Sequence, residues 1–372
     1  MPITELRLSG YRSIRDVLLD LGQVNVITGP NGSGKSNLYR ALHLLAKAAD
    51  GTLAQAITEE GGIPSVMWAG SRKKGTQRVR LGVTVDGWDY DLEFGASAPA
   101  DANPFFILDP AIKREQLHFR EGGRSRIVFL DRDYSSVSVR DESGRMASYR
   151  GQLNPNETAL STIRDPHQFP ELSAMRERLL AWRFYHQFRT DDQSPLRRPR
   201  ASMQTPILGH DGADLAAALI TIQFYGNHAA MNAAIQRAFP GAKLVIDGDP
   251  RTLVAGLEMP GVLRPLLAHE LSDGTLRYLC LLAALLSQHP PTLLALNEPE
   301  TSLHPSLHPS LLEPLAELIA SAGQRTQVWV TTHAAPLAEY IAKYSGEATI
   351  TLEQVQGETR IQGQGLLRLP RK

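Results

Sequence analysis

Apolar and polar positions alternate from the first residues. Ile3, Leu6 and Leu8 fall on a loose period of two within Ile3–Ser9, and Val17–Leu21 follows suit. Both runs predict half-buried strands. Gln23–Thr28 reads as a short buried strand. From Ser36 to Ala49 the period changes, with Leu38, Leu42 and Leu45 at helical spacing. Between Val66 and Arg150 the chain returns to short β-like runs: Arg78–Val85, Trp88–Phe94, Leu117–Phe119, Ile127–Leu130 and Val137–Val139. Asp86-Gly87 between two of them is a hairpin signal, so this stretch predicts an antiparallel β layer. Residues 171–240 switch to helix. Leu172, Met175, Leu179, Trp182 and Phe184-Tyr185 share one amphipathic face. A second helix opens at Asp211-Gly212-Ala213-Asp214-Leu215 and runs through Phe224, and a third covers Met231–Phe239. Strands follow at Lys243–Ile246 and Leu253–Leu257. The last third reads as a helix at Leu276–Leu286, buried strands at Thr292–Leu296 and Gln327–Thr331, a helix at Leu337–Tyr344, and small strands at Thr349–Val355 and Thr359–Gln362. Neither a heptad run nor an internal repeat is visible. The pattern is that of an α/β protein.

The linkers carry charge. Asp191–Thr205 is polar and rich in Pro and Arg, including Arg197-Arg198-Pro199-Arg200, and Ser71-Arg72-Lys73-Lys74-Gly75 is a small basic patch. Solvated loops explain both more simply than nucleic-acid contacts do. The whole chain of 372 residues has zero formal net charge, so no global basic field advertises a non-specific DNA binder. A single cysteine, Cys280, excludes an intramolecular disulfide and a cysteine-rich zinc site. Met1–Gly10 lacks the apolar core of a secretory leader, and the longest apolar run, Tyr278–Leu286, is too short to span a bilayer. A reducing, cytoplasmic setting without membrane insertion is expected.

Candidate chemistry centres on Gly29-Pro30-Asn31-Gly32-Ser33-Gly34-Lys35-Ser36, a full match to G-x-x-x-x-G-K-S. It stands between a predicted strand and a predicted helix, the context the motif requires. The glycines let backbone N–H groups turn inward toward an anion, and the helix start adds its positive dipole end. Lys35 would reach the β and γ phosphates of ATP, and the Ser36 hydroxyl would ligate Mg²⁺. Asn37 follows in the first helical turn. Upstream, the aromatic–arginine pair Tyr11-Arg12 is placed either to touch a nucleotide or simply to turn the chain.

Four more features follow in the last third. Ser272 and Gly274 fall at a helix start, a second place suited to an anion. The buried strand Thr292–Leu296 ends in Asn297-Glu298-Pro299-Glu300, a carboxylate at a strand's carboxyl end where metal and attacking water would sit. Thr301-Ser302-Leu303-His304-Pro305 makes the next turn. The strand Gln327–Thr331 ends in Thr332-His333, and His333 could contact a γ-phosphate and hold the water. Singly, each reads as a cap, a strand end or a loop histidine; the ordered set after a full phosphate loop does not.

The series resembles the ATP-binding-cassette (ABC) ATPase core, in the branch shared by RecF, SMC-type proteins and the stand-alone AAA-family ATPases of the OLD-like group. Gly29–Ser36 is similar to its Walker A, Leu271-Ser272-Asp273-Gly274 to its L-S-G-G signature, Leu293–Glu298 to its Walker B, Ser302–Pro305 to its D-loop and His333 to its switch histidine. Asp211–Leu215 resembles the D-G-x-x-L helix start of stand-alone members. Tyr11-Arg12-Ser13 resembles an F-R-S stretch whose arginine lies near the nucleotide. Two departures stand out: Asn297 where Walker B ends in Asp, and Asp273 where the signature has glycine. The resemblance leaves the metal-contacting glutamine unplaced; Gln152 is the candidate.

The resemblance implies a P-loop NTPase with an ABC-ATPase-like core: a mixed, mainly parallel sheet flanked by helices, an antiparallel β layer and a helical lobe. Residues 1–150 would form the nucleotide-binding lobe with the β layer, 151–260 the helical lobe with its linker, and 261–372 the part completing the core. It implies ATP and Mg²⁺ as ligands, and Glu298, His333 and Lys35 as the catalytic set. Gly29, Pro30, Asn31, Gly32, Ser33, Gly34, Ser36, Asn37, Arg12, Ser272 and Gly274 would contact nucleotide; Ser36, Asn297 and Gln152 would serve the metal. It also implies an ATP-gated homodimer, acting in DNA repair or maintenance or in phage defence, with DNA or an effector protein as partner. A slow or non-hydrolysing switch for a nuclease or toxin is the alternative. A transporter subunit fits the β-rich insertion poorly, and a small-molecule kinase has no use for Leu271–Gly274.

Overall fold

The computed structural model describes residues 2–70, 78–97, 105–121, 125–303 and 308–363. The basic patch at 71–75, and His304 and Pro305 of the predicted D-loop, lie outside them.

The chain opens with strands β1 (Ile3–Tyr11), β2 (Ile14–Asp20) and β3 (Val24–Thr28), then helices α1 (Lys35–Asp50), α2 (Leu53–Glu59) and α3 (Ile63–Val66). A run of strands follows: β4 (Val79–Val85), β5 (Trp88–Ala96), β6 (Pro110–Glu121), β7 (Ser125–Asp133), β8 (Ser136–Arg140) and β9 (Met146–Ser148). Next come α4 (Ala159–Thr162), α5 (Pro170–Leu180), β10 (Arg183–Tyr185), β11 (Arg200–Ala201), α6 (Leu215–Tyr225) and α7 (His228–Ala238). After them lie β12 (Lys243–Gly248), β13 (Thr252–Glu258), β14 (Leu266–Leu267), α8 (Asp273–Leu285) and β15 (Leu293–Asn297). The chain closes with α9 (His308–Gly323), β16 (Gln327–Thr331), α10 (Ala335–Ser345), β17 (Ile350–Val355) and β18 (Glu358–Ile361).

These elements form two compact units. Met1–Gly22, Gly29–Trp182 and Ile350–Lys372 make one; Gln23–Thr28 and Arg183–Thr349 make the other.

In the first unit, eight strands pair in the order β2-β1-β4-β5-β6-β7-β8-β9, antiparallel throughout. The Asp86-Gly87 turn places both residues at positive φ, 54° and 79°, and pairs Val85 with Trp88. That is the backbone a two-residue hairpin of matching twist demands. Helix α1 packs against β1, β4 and α5, burying Leu38, Leu42 and Leu45 as its spacing predicts. The hairpin β17–β18 closes this unit beside β2.

In the second unit the strands β10-β15-β16-β3 run parallel. Their residues are apolar on nearly every position because helices cover them. Trp329, Val330, Leu296 and Ile27 are fully buried. Helix α8 lies in this core with Leu276, Leu279, Cys280 and Leu282 at zero exposure. Cys280 is therefore a packing residue. The antiparallel set β11-β13-β12, with β14 on β13, completes the unit.

One expectation changes. The amphipathic face over 172–185 is not one helix: α5 ends at Leu180, and Arg183–Tyr185 forms β10, parallel to β15. The Pro- and Arg-rich linker is also more ordered than its composition suggests, holding a short 3₁₀ turn at Pro195–Arg197 and strand β11.

Candidate functional site

The phosphate loop leaves β3 at Thr28 and enters α1 at Lys35. Gly29, Gly32 and Gly34 all have positive φ, at 146°, 80° and 102°. A Cβ on Gly34 would stand 2.1 Å from Thr359 Oγ1, and one on Gly29 2.4 Å from the Leu352 carbonyl. The C-terminal hairpin is thus the wall behind the loop. Over Gly32, by contrast, a Cβ would meet nothing within 4 Å. Pro30, Asn31, Gly32 and Ser36 are exposed, while Ser33 and Lys35 are buried. Lys35 folds back, its Nζ donating to the carbonyls of Gly29 (2.7 Å) and Pro30 (3.1 Å). Asn37 Nδ2 donates to Ser13 Oγ at 2.8 Å, and the Thr359 N–H donates to the Ser13 carbonyl at 2.8 Å. Arg12 has φ 48° and pairs with Glu60 at 2.6 Å, where Tyr11 also donates a hydrogen bond at 2.9 Å.

This cradle fits a polyphosphate. Its mouth is open at Gly32, Ser33 Oγ is buried without a hydrogen-bond partner, and no side chain caps the start of α1. The first N–H groups of a helix lack intrahelical acceptors and favour an anion. Among the described residues no group of three His, Cys, Asp or Glu could hold a metal by itself. Mg²⁺ would therefore share its ligands with phosphate oxygens, as it commonly does.

The carboxyl ends of the parallel strands bring Asn297, Glu298 and His333 together. Asn297 pairs with Thr331 across β15–β16, and Thr331 Oγ1 donates to Asn297 Oδ1 at 2.7 Å. Glu298 leaves the strand at φ 48° and ψ 56°, a left-handed conformation that a non-glycine residue adopts at a cost of about 1–3 kcal/mol. It is held there by its own N–H to the Thr331 carbonyl (2.8 Å) and by its carbonyl, which accepts from Thr301 N–H (3.0 Å) and Oγ1 (2.7 Å). His333 Nδ1 lies 3.8 Å from Glu298 Oε1 and 3.2 Å from Glu300 Oε1.

Sequence reasoning placed Glu300 in the strand-end run 297–300 and gave it no role. Its side chain is 1% exposed, and Oε1 accepts from Thr332 Oγ1 (2.6 Å) and the His333 N–H (3.1 Å). The sequence signal was there, a second carboxylate two residues after Glu298, but nothing local said that it turned inward. Gln152, the candidate metal-side glutamine, is exposed in the loop after β9, in the first unit. In the second unit, His186 and Gln187 follow β10 directly and line a small pocket with Arg277, Asn297 and Thr301.

Ser272 caps α8, accepting from the Thr275 N–H at 3.2 Å, and is exposed. Asp273, the departure from glycine, is paired with Arg197 at 2.6 Å.

A glycine loop between a parallel strand and a helix, with acid and histidine at neighbouring strand ends, defines the chain as a P-loop NTPase of the ABC type. Two solved SMC heads share the fold: one bound to the C-winged helix domain of ScpA (TM-score 0.52, 16% identity, 99% of this chain and 98% of that one) and one from Pyrococcus furiosus (0.53, 13%, 97% and 95%). Residues 24–337 match the family model described as "AAA domain, putative AbiEii toxin, Type IV TA system", and the chain belongs to that family. Relatives include the DNA replication and repair protein RecF of Shewanella sediminis, 29% identical over 177 residues (44% of this chain, 48% of RecF). The cytochrome c biogenesis ATP-binding export protein CcmA of Nitrobacter winogradskyi is 27% identical over 169 residues (41% of this chain, 82% of CcmA). The match spans about half the length of the RecF relatives. Among the described residues no helix is long and apolar enough to cross a membrane.

Proposed function

We propose that this protein binds ATP with Mg²⁺, hydrolyses it slowly, and uses the γ-phosphate to hold two copies together. The observation that carries this reading is Glu298, held in a left-handed conformation beside His333 at the carboxyl ends of two adjacent parallel strands. Strained geometry of this kind persists where the surroundings over-determine it.

In this reading residues 29–37 cradle the phosphates, and Lys35 exchanges its carbonyl partners for phosphate oxygens. Ser36, Asn297 and Gln187 serve the metal, with Gln187 taking the place expected of Gln152. When bound, Mg²⁺ would neutralise the β and γ oxygens. Glu298 accepts the proton of the attacking water as the bond between the γ phosphorus and its bridging oxygen breaks, giving ADP and phosphate. His333 holds the γ-phosphate side, oriented by Glu300. Ser272 and Gly274 complete the site of the second copy. Asn297 brings no charge, so turnover is slow.

The RecF relatives favour a role in DNA maintenance, and the family's own description favours control of a toxin or other effector. A slow or non-hydrolysing switch that regulates such a partner is the second reading, favoured by Asn297. The decisive measurement is sedimentation of Glu298→Gln with and without ATP, together with steady-state phosphate release from the wild type. An ATP-dependent dimer and slow release that Glu298→Gln abolishes are expected. A monomer under saturating ATP would end the homodimer reading, and release equal in both proteins would end the assignment of Glu298.

A further inference from the structure

We propose that Arg197 is a positioning residue for the signature segment, and that it cancels the charge of Asp273 where the second copy's triphosphate would approach. The proposal rests on the homodimer reading above for its second half only.

The guanidinium of Arg197 is nearly enclosed, with 11% of the side chain exposed. Nη1 donates to the carbonyls of Ala268 (3.0 Å), His269 (3.4 Å) and Leu271 (2.8 Å). Nη2 donates to Asp273 Oδ1 at 2.6 Å, and Nε to the Thr190 carbonyl at 2.8 Å. The backbone that delivers Ser272 is therefore bent round one planar fork. Carbonyl oxygens carry partial negative charge and repel one another, so three converging on a point need a donor between them. A lysine offers a point charge without the fixed fork and cannot reproduce the set.

Arg197 is itself fixed. It closes the 3₁₀ turn Pro195–Arg197, whose start is capped by Ser194, and its neighbour Leu196 is buried. Its Nε bond reaches back to Thr190, three residues after Gln187. The clamp thus ties the loop leaving β10 to the start of α8.

The charge argument is separate. Asp273 stands in the first turn of α8, between Ser272 and Gly274, with its side chain 56% exposed. A lone carboxylate suits a helix N-terminus but repels an incoming phosphate. Paired with Arg197, it leaves the segment locally neutral. The unusual Asp in the signature and the Arg in the linker therefore act as one feature.

The test uses the full chain in the Glu298→Gln background, with Arg197→Met, Arg197→Lys, Asp273→Asn and the Arg197→Met/Asp273→Asn double. Fluorescent ATP binding to the monomer checks that the loop side is intact. Dimer dissociation constants with ATP come from sedimentation, and amide exchange over residues 268–276 is followed without nucleotide. Arg197→Met should weaken the dimer by about tenfold or more, and the double substitution should recover part of that loss, the part due to the stranded carboxylate, while the part due to the lost clamp remains. Arg197→Met and Arg197→Lys should both speed exchange over 268–276, while Asp273→Asn alone should change it little. Unchanged exchange in Arg197→Met overturns the positioning role, whether or not a dimer forms. A double substitution no better than Arg197→Met overturns the charge role. If Glu298→Gln itself stays monomeric with ATP, the homodimer reading fails and the charge role falls with it, while exchange still decides the clamp.

Discussion

Glu300 holds His333 at two points: its Oε1 accepts the His333 backbone N–H at 3.1 Å and lies 3.2 Å from the imidazole Nδ1. With Nδ1 turned to Glu300, Nε2 is the ring nitrogen left to face a ligand. Buried carboxylates that orient a histidine in this way shape what the outer nitrogen does without touching the reacting atoms. Glu300→Gln is expected to lower kcat for phosphate release by about tenfold with little change in KM for ATP. Glu300→Ala, which also strands Thr332, should cost an additional 1–3 kcal/mol or so of stability. Steady-state kinetics and thermal melts read both. A Glu300→Gln protein with wild-type kcat would show that His333 needs no such holder.

Glu298 offers a test in the opposite direction. At φ 48° glycine would relieve strain, so Glu298→Gly is expected to raise stability by about 1 kcal/mol while abolishing hydrolysis. Glu298→Gln keeps the strain and should melt close to the wild type. If Gly and Gln melt together, the conformation stores nothing.

The phosphate loop and the strands around it were legible because their signals are local: a fixed glycine spacing, a period of two before it and a helical period after. Asn297, Glu298 and His333 were legible because each ends a buried apolar run, and parallel sheets gather such ends on one edge. Three things were hidden for one reason. Arg183–Tyr185 continues the apolar face of α5, and only its partner Leu294–Leu296, more than a hundred residues on, makes it a strand. Missing β10 meant missing that Gln187 lines a pocket with Asn297. Glu300 looked like no more than the last residue of a strand end, and Arg197 like a solvated linker charge; both are defined by partners distant in sequence. Local pattern reports what a segment prefers, not what it meets.

The wall behind the loop predicts unequal glycine tolerance. Gly34→Ala must push its Cβ into Thr359 at φ 102°, whereas Gly32→Ala faces open space and strains only the backbone at φ 80°. Nucleotide affinity is expected to fall at least about a hundredfold in Gly34→Ala and by about tenfold or less in Gly32→Ala. Equilibrium binding of a fluorescent ATP analogue decides it. Equal losses would mean that the hairpin does not set the loop.

Asn297→Asp should restore a charge without disturbing the site, because Asp can still accept from Thr331 Oγ1. If the slow-turnover reading holds, half-saturating Mg²⁺ should fall and phosphate release should rise, each by about three- to tenfold. A Mg²⁺ titration in which both proteins behave alike would show that position 297 does not face the metal.

Acid should attack the β layer first, through Asp89. Its side chain is 0% exposed, with His118 Nε2 at 3.0 Å, Arg7 Nη1 at 3.3 Å, and Arg120 and Thr84 hydrogen-bonded to it. Burial alone would raise its pKa, but the close approach of His118, the bonds from Arg120 and Thr84 and the charge of Arg7 outweigh it and hold the carboxyl well below the usual carboxylate range. The sign then follows. The folded protein keeps this proton off longer than the unfolded chain does, so the unfolded state binds more protons as pH falls. The stabilisation is fully present well above the unfolded value of about 3.9 and drains away from about pH 5 downward. It continues to drain below 3.9, toward the lower folded value. Asp89→Asn cannot titrate, and at neutral pH it leaves Arg7 and Arg120 short of their counter-charge. The variant is expected to be less stable than the wild type by about 2–3 kcal/mol at pH 7, with the gap narrowing steadily between about pH 5 and pH 3. Urea unfolding of both proteins across that range measures the gap directly. Parallel stability curves down to pH 3 would show that Asp89 is not the group through which acid acts.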